Sequence, residues 1–255
     1  MKNIYFYITV LLITFFISCE KQADSSNPPP TGQGGSTARM TIAADNLYLV
    51  SNSELYTYDI SEPETMVLLN KIMLSNPDVE TIFPFRDKLF IGSQTGMFVF
   101  DISNPKKPSL LGTAMHFRSC DPVVANNDYA FVTLRSNNRG CGGTLNQLNI
   151  YDIQGNNIMT PKLLSEMNMP EPHGLGLKEN ALYVCMGTAG MNVLDVTDKK
   201  NPKSVKRMTT QGLASEFIDV IPYNDILITY VKGGIILYDI SSPFNPVKLS
   251  EIKNA

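Results

Sequence analysis

Three residues whose side chains could bind a cation or move a proton fall at one position of a repeated sequence pattern. They are Glu80, Asp121 and His173. Carboxylate and imidazole groups are ligands for divalent cations and also serve as acids and bases in hydrolase and lyase chemistry. Two arginines, Arg135 and Arg139, stand among Asn and Gly in the segment "LRSNNRGCGGTLNQ". Since Glu80, Asp121 and His173 lie 41 and 52 residues apart, the elements that carry them decide which of these side chains meet.

Composition and motifs disfavour several classes of function. The net charge is −3 and Lys and Arg are scattered, so no nucleic-acid surface is indicated. His116 and His173 are the only histidines, and no G-x-S-x-G, H-E-x-x-H or G-x-x-x-x-G-K-[ST] motif occurs. The absence of Trp disfavours a broad aromatic platform for sugars, although eleven Tyr could substitute. A non-catalytic protein is therefore favoured, with no catalytic residue and no cofactor assigned, while an active site assembled from distant segments stays open.

The N-terminal residues 1–19 form a unit distinct from the rest of the chain. Lys2 precedes an apolar run over residues 4–17, which is short for a membrane span and typical of an export signal. The run ends in "FISC", which resembles the lipobox of bacterial lipoproteins and implies that Cys19 is lipidated. The alternative is an ordinary cleaved signal in which this Cys has no role. Residues 20–37 hold no large apolar side chain, so we expect a flexible tether.

One pattern recurs five times and sets the organisation of the remaining chain. An apolar stretch ends in Asp, followed by Ile or Val and usually by Ser or Thr, with Pro nearby, as in "FDISNPKKP" from Phe100. The aspartates lie 42, 51, 43 and 44 residues apart, which indicates a repeat with an insertion in the third unit. Each carboxylate is expected to accept backbone N–H bonds in a tight turn, while Pro blocks further strand pairing. The five positions are Asp59, Asp101, Asp152, Asp195 and Asp239.

Each repeat unit is predicted to contain four short strands. Runs such as "LFIG" and "MFVF" flank turn residues before the Asp, another apolar run precedes them, and a fourth follows, as in "SLLGTAM". Five such units without helical periodicity predict an all-β fold, a five-bladed β-propeller of four-stranded antiparallel blades over residues 38–255. We expect the ring to close by face-to-face packing of the first and last blades, with or without help from N-terminal residues.

The repeated pattern D-[IV]-[ST]-x-x-x-P after an apolar strand resembles the LVIVD-repeat family. Phrases such as "DPVVANNDYAFVTLR" and "PHGLGLKENALYVC" add to the resemblance, which covers residues 38–255. The third unit departs from the pattern, because Gln154 and Gly155 replace its Ser-x-x-x-Pro start. The resemblance implies a propeller-like architecture and an exported bacterial lipoprotein. It does not imply a settled activity.

Two cysteines are predicted to pair within one blade. Cys120 precedes an innermost strand and Cys141 stands in the insertion of the same unit, so both fall on loops at one face. Since an exported protein folds in an oxidising setting, we predict a Cys120–Cys141 disulfide. The alternative is two unpaired thiols, which non-reducing peptide mapping would detect. Cys185 lies inside the strand-like stretch "ALYVCM" and is expected to be a small buried hydrophobe.

The repeat brings the candidate site residues to one place. Glu80, Asp121 and His173 align at the start of the innermost strand of three consecutive blades, and innermost strands line a propeller's channel. They are expected to converge at the channel mouth, as a ligand site that includes a divalent cation among its occupants, or as a polar mouth that holds only water. The loop with Arg135 and Arg139 lies on the same face, either as an interaction loop or as a brace. Three further carboxylates are sequence neighbours of these residues: Glu171, Glu216 and Asp219.

Two functions of different class follow. The first is a non-catalytic scaffold, lipid-anchored to the outer membrane on its periplasmic side or at the cell surface. It would bind a protein or glycan partner of the cell envelope through the face with Cys120, Cys141 and His173. The alternative is a hydrolase or lyase that uses Glu80, Asp121 and His173 at the channel mouth. A deep pocket with closely opposed carboxylates would favour the enzyme, and a flat face built of loops would favour the scaffold.

Overall fold

The protein is a five-bladed β-propeller. The computed structural model describes residues 35–75, 78–116, 122–136, 144–209 and 216–253. Within these residues lie five sheets, each of four consecutive strands joined antiparallel in chain order. The all-β prediction and the five four-stranded blades are confirmed. The predicted signal and the tether up to residue 34 lie outside the described residues.

Each blade begins with its innermost strand and ends with its outermost one. Blade 1 contains β1 (Met40–Ala43), β2 (Asn46–Val50), β3 (Glu54–Asp59) and β4 (Val67–Met73). Blade 2 contains β5 (Val79–Phe85), β6 (Lys88–Ser93), β7 (Gly96–Asp101) and β8 (Ser109–Met115). Blade 3 contains β9 (Val123–Ala125), β10 (Tyr129–Leu134), β11 (Gln147–Asp152), a 3-10 helix (Gly155–Met159) and β12 (Lys162–Asn168). Blade 4 contains β13 (Leu175–Lys178), β14 (Ala181–Cys185), β15 (Met191–Asp195) and β16 (Lys203–Met208). Blade 5 contains β17 (Phe217–Tyr223), β18 (Ile226–Val231), β19 (Gly234–Asp239) and β20 (Val247–Lys253).

Strands in the middle of the blades are buried on both faces. Every residue of β14 from Ala181 to Cys185 is buried, and all but the terminal Asp101 are buried in β7. Successive side chains of a strand point to opposite faces, so a strand buried on both sides lies between two other sheets. The outermost strand β20 is exposed along its whole length. The unbroken apolar runs of the sequence therefore mark the second and third strands of the blades.

Four hydrophobic cores join the blades in chain order. Between blades 1 and 2, Tyr48 and Leu55 lie in one cluster with Ile82 and Phe98. Similar clusters join blade 2 to 3, blade 3 to 4 and blade 4 to 5. Burial of these large side chains supplies most of the driving force for stacking one blade on the next.

The repeat aspartates are turn residues. In each blade the Oδ1 atom of the aspartate accepts a hydrogen bond from the backbone N–H two residues later, at 2.8–2.9 Å. A shift in strand pairing precedes each of these aspartates. Gln154 donates to Asp152 in this way, so the third unit keeps its turn although its sequence departs from the repeat. The hydroxyl and backbone N–H of Ser103 lower the pKa of the Asp101 carboxyl.

The N-terminal residues bind blade 5 through a buried carboxylate. Ser36 Oγ donates to Asp219 Oδ1 at 3.0 Å, and the backbone N–H and hydroxyl of Thr37 donate to Oδ2 at 3.2 and 2.6 Å. Ser36 Oγ also accepts the backbone N–H of Leu175 in blade 4 at 2.7 Å. Burial raises the pKa of Asp219, and the hydrogen bonds from Thr37 and Ser36 oppose that rise. We call residues 35–37 with Asp219 the latch.

The expected face-to-face packing of blade 5 on blade 1 is not formed. Met40 in β1 and Tyr230 in β18 are exposed, and the described residues contain no core cluster shared by these two blades. Each of the four cores sets its own spacing, about 10 Å for packed sheets. The four spacings together do not have to add up to a closed ring in which the last blade contacts the first. The ring is joined at this seam by the latch, so N-terminal residues hold it together where a core was expected.

Replacing Thr37 by Val should lower the free energy of unfolding by about 1–2 kcal/mol, because the buried Asp219 carboxylate loses its hydroxyl donor at nearly unchanged volume. Thr37→Ser keeps the hydroxyl and is expected to lose less than half as much. Denaturant unfolding at pH 7 measures both variants. Equal losses in the two variants would mean that the hydroxyl does not hold the seam.

Candidate functional site

The described channel-mouth residues lie where innermost strands begin. Glu80 is in β5, at a bulge, since the pairing of this strand with β6 shifts between Val79 and Thr81. A bulge places an extra residue in one strand and re-aims its side chain. Gln94 Nε2 donates to Glu80 Oε1 at 3.1 Å, which orients the carboxylate. Asp121, the third member of the predicted cluster, lies outside the described residues.

His173 lies between blades 3 and 4, two residues before β13. Its backbone N–H donates to the Cys185 carbonyl at 2.7 Å, and its carbonyl accepts the Thr133 hydroxyl of blade 3 at 2.7 Å. A Cβ atom at Gly187 would lie 3.2 Å from His173 Nε2 and 3.5 Å from Glu171 Oε2. The imidazole and this carboxylate therefore flank a position that a side chain would crowd. Gly187 also has φ of +52°, which favours glycine there.

Arg135 brings a positive charge into the electrostatic range of carboxylates from two other blades. It follows β10 of blade 3, is half-buried, and interacts electrostatically with Glu80 of blade 2 and Glu171 of blade 4. Burial lowers the pKa of its guanidinium and these two carboxylates raise it, but an arginine keeps its charge throughout the physiological range. Its Nε atom has no hydrogen-bond partner among the described groups.

Blade 5 adds a further charged pair to the same face. Glu216 precedes β17 and forms an ion pair with Lys232 at 3.1 Å. Its negative charge also acts on His173, against the effect of burial. Blades 2 to 5 thus each contribute at least one charged or polar side chain to the channel mouth. Arg135 interacts electrostatically with both Glu80 and His173, and the convergence of these two residues as a ligand site stays a prediction.

The imidazole of His173 is neutral at physiological pH. Burial, and after it the positive charge of Arg135, lower its pKa from 6.5 to about 4, and the negative charge of Glu216 opposes this shift. A general base works best when its pKa lies near the working pH. An imidazole with a pKa this low is a weak base and a poor acid at pH 7. It remains a good hydrogen-bonding group for a polar ligand.

The described carboxylates do not assemble a metal site. No group of three or more His, Cys, Asp or Glu within the described ranges is arranged to hold a metal ion. Asp219, a sequence neighbour of the cluster, is taken up by the latch. The divalent-cation hypothesis therefore depends on Asp121, which is not among the described residues.

Glu171 adds backbone strain to the mouth. Its φ is +42°, in the left-handed region that residues with a side chain rarely adopt, and it immediately precedes Pro172. Such strain persists only where the surrounding structure holds it in place, and it concentrates at functional sites. The two prolines of "PEPH" are the sequence signal that marks this unusual segment.

The loop after β10 is closed at its base. Ser136 N–H donates to Asn146 Oδ1 at 3.1 Å, and Asn146 Nδ2 donates back to Ser136 Oγ at 3.1 Å. This pair holds the point at which Arg135 leaves the strand, as expected of a loop on a rigid scaffold. Arg139, the second arginine of the predicted interaction loop, lies beyond the described part of that loop.

One of the four cysteines lies in the core, and the other three lie outside the described residues. Cys185 is a free, fully buried thiol, as predicted. Cys19, Cys120 and Cys141 all lie outside the described residues, so the lipidation and the disulfide stay predictions. Among the residues that are described, no helix is both long enough and apolar enough to cross a membrane.

Blade 2 carries the sequence that matches a known repeat. Residues 89–115, which run from β6 through β8, match the LVIVD repeat. This is the repeat that the Asp-centred pattern resembles, and the match covers one of its five units. No curated protein matches the chain.

The fold is shared with solved structures at low sequence identity. The computationally designed Ika8 protein is similar with a TM-score of 0.60 and 13% identity, over 90% of this chain and 66% of that one. A protein from Lactobacillus plantarum has a TM-score of 0.65 and 12% identity, over 83% and 70% of the two chains. Apo AztD from Citrobacter koseri has a TM-score of 0.56 and 12% identity, over 83% and 61%. The chain spans about two thirds of the length of the first of these structures, and the likeness concerns the fold alone.

We expect His173 to titrate with a midpoint near pH 4 in an NMR titration of its imidazole. The unfolded chain takes up a proton near pH 6.5 and the folded chain does not, so this group's contribution to stability is complete above pH 6.5. It should be lost as the pH falls from 6.5 to about 4. His173→Gln, which cannot titrate, identifies the signal and should flatten that part of the stability curve. A midpoint near 6.5 would show that the ring is solvated.

Proposed function

We propose that this protein is an exported, lipid-anchored scaffold that binds a protein or glycan partner of the cell envelope through its channel-mouth face. The fold and the LVIVD repeat are consistent with a non-catalytic role. The observation that carries the proposal is the arrangement around Arg135. Its guanidinium interacts electrostatically with Glu80 and Glu171 of the two flanking blades and with the neutral imidazole of His173.

This combination of groups suits recognition. A guanidinium presents a fixed fork of donors to carboxylate or hydroxyl groups, and flanking carboxylates orient it and accept hydrogen bonds themselves. A hydrolase or lyase would need an acid or base that titrates near neutral pH, and His173 does not supply one.

Capture of a partner from envelope extract tests the role of the mouth. With the full chain as bait, Arg135→Gln should reduce the captured partner at least fivefold, because the substitution removes the charge that the partner pairs with while keeping a side chain of similar reach. Arg86→Gln is the matched control, since Arg86 stands in the turn between β5 and β6 on the opposite face. Both variants must keep the unfolding midpoint of the wild type to within a few degrees.

Two outcomes of the capture experiment would reject the proposed face. Retention of the partner by Arg135→Gln would place the contact elsewhere on the propeller. An equal loss in Arg86→Gln would point to general charge effects instead of a site at the mouth.

The membrane anchor rests on the sequence around Cys19. The lipobox-like "FISC" supports acylation of this thiol, and the tether that follows would let the propeller stand away from the bilayer. The predicted Cys120–Cys141 disulfide would restrain the loop that begins at Arg135. Mass spectrometry of the N-terminal peptide should find a diacyl or triacyl Cys19, and membrane release by Cys19→Ser should follow. An unmodified thiol on a mature chain would contradict the anchor.

A further inference from the structure

Blade 1 presents an apolar face that the described residues leave uncovered. Met40 is 62% exposed, whereas the residues that occupy its place in the other four blades are 0–1% exposed. These equivalents, which share its position in the strand pairing, are Ile82, Val123, Leu175 and Val220. Ile42, on the same face of β1, is 46% exposed. In blades 2 to 5 this face packs on the preceding blade, so in blade 1 the same kind of face has no blade before it.

Blade 5 presents the opposite kind of face, the one that packs on a following blade. Tyr230 is 49% exposed, while its equivalents Val50, Thr133 and Cys185 are at most 2% exposed. Ile235 is 38% exposed, and its equivalents in the other four blades are at most 1% exposed. These equivalents are Leu55, Met97, Leu148 and Met191.

The two exposed faces correspond to the two sides of a core between neighbouring blades. The cavity in the blade 5 face is called the socket below. In the core between blades 1 and 2, Ile82 lies in one cluster with Tyr48, Val50 and Leu55. The blade 5 equivalents of those last three residues line a cavity of about 290 Å³, and its other walls are formed by Ile221, by residues of the latch and by Ala38. The three equivalents are Ile228, Tyr230 and Ile235. The side chain that this socket accepts elsewhere in the ring is the one at the position of Met40.

The chain's own Met40 does not occupy the socket. Ala38 lines the cavity. Met40, two residues later, is not among the lining residues and is largely exposed. Blade 1 cannot turn toward blade 5 by itself, because its other face is sealed to blade 2 by a core. The latch on Asp219 holds the strand that leads into β1. The seam is therefore joined next to the channel and open toward the rim.

We propose that a second copy of this chain docks head to tail at the seam, with the blade 1 face of one copy on the blade 5 face of the other. The chain itself carries the required complement, since this pairing of faces occurs four times within it. The described residues leave large apolar side chains exposed on both walls of the seam, and contiguous apolar patches on a monomer often mark interaction sites. Lys71 and Glu54 pair with each other at 2.8 Å beside Tyr56, so the charges on that part of the blade 1 face are matched.

Complementary variants of the full chain test the head-to-tail contact by sedimentation velocity over a range of concentrations. Met40→Lys disables the blade 1 face and Tyr230→Lys disables the blade 5 face, so each alone should weaken self-association at least tenfold. A mixture of the two should associate again, because one intact face of each kind remains. Met115→Lys, a charge placed on an equally exposed methionine of the outer strand β8, should associate as the wild type does.

Each other outcome would overturn the proposal. A wild-type chain that stays monomeric at every concentration would mean that the seam closes within one copy or is covered by a different partner. Association that survives Met40→Lys would indicate two blade 5 faces in contact. A mixture that fails to associate, with both variants folded by their unfolding midpoints, would exclude pairing of unlike faces.

Discussion

Burial of one two-sided apolar sheet against the next is the interaction on which the rest of this structure depends. Strands such as β14 bury every side chain, and they can do so only with a neighbouring blade on each face. A single blade would leave its largest side chains in water, as expected of repeat proteins in which each unit is completed by its neighbours. The chain of four cores from blade 1 to blade 5 follows directly, and it also sets the positions of the strand ends at the channel.

A stack of blades has one end face on its first blade and one on its last. How the chain joins these two faces determines the shape of the molecule. Here the chain joins them by hydrogen bonds to one buried carboxylate, Asp219, instead of by a fifth core. Hydrogen bonds need only a few atoms at the right distance, whereas a core needs two complete faces at the right spacing. The latch therefore holds the channel side of the seam, and the described residues leave apolar side chains exposed on its rim side.

The channel mouth gathers charge for a related reason. Innermost strands begin there, so the first residues of successive blades come close to one another while the backbone is leaving its ladder. Polar side chains at these positions give up little hydrophobic packing. They also interact with charged groups of other blades, as Arg135 does with Glu80 and Glu171. The same half-buried setting keeps His173 uncharged. Charged and polar groups from four blades thus interact at the mouth, which a single blade could not provide.

The sequence by itself determined the number, type and order of the blades. The spaced aspartates and the apolar runs before them are local signals, and each is confirmed where the turn or the strand forms. It also predicted that Glu80 and His173 share one mouth, because equal positions in a repeat occupy equal positions in a ring. Only the tertiary structure decided that Asp219 binds residues 35–37, that Arg135 interacts with carboxylates of two other blades, and that the described residues of blades 1 and 5 share no core. These three features depend on the distances between several packed sheets added together. A local stretch of sequence does not encode that sum.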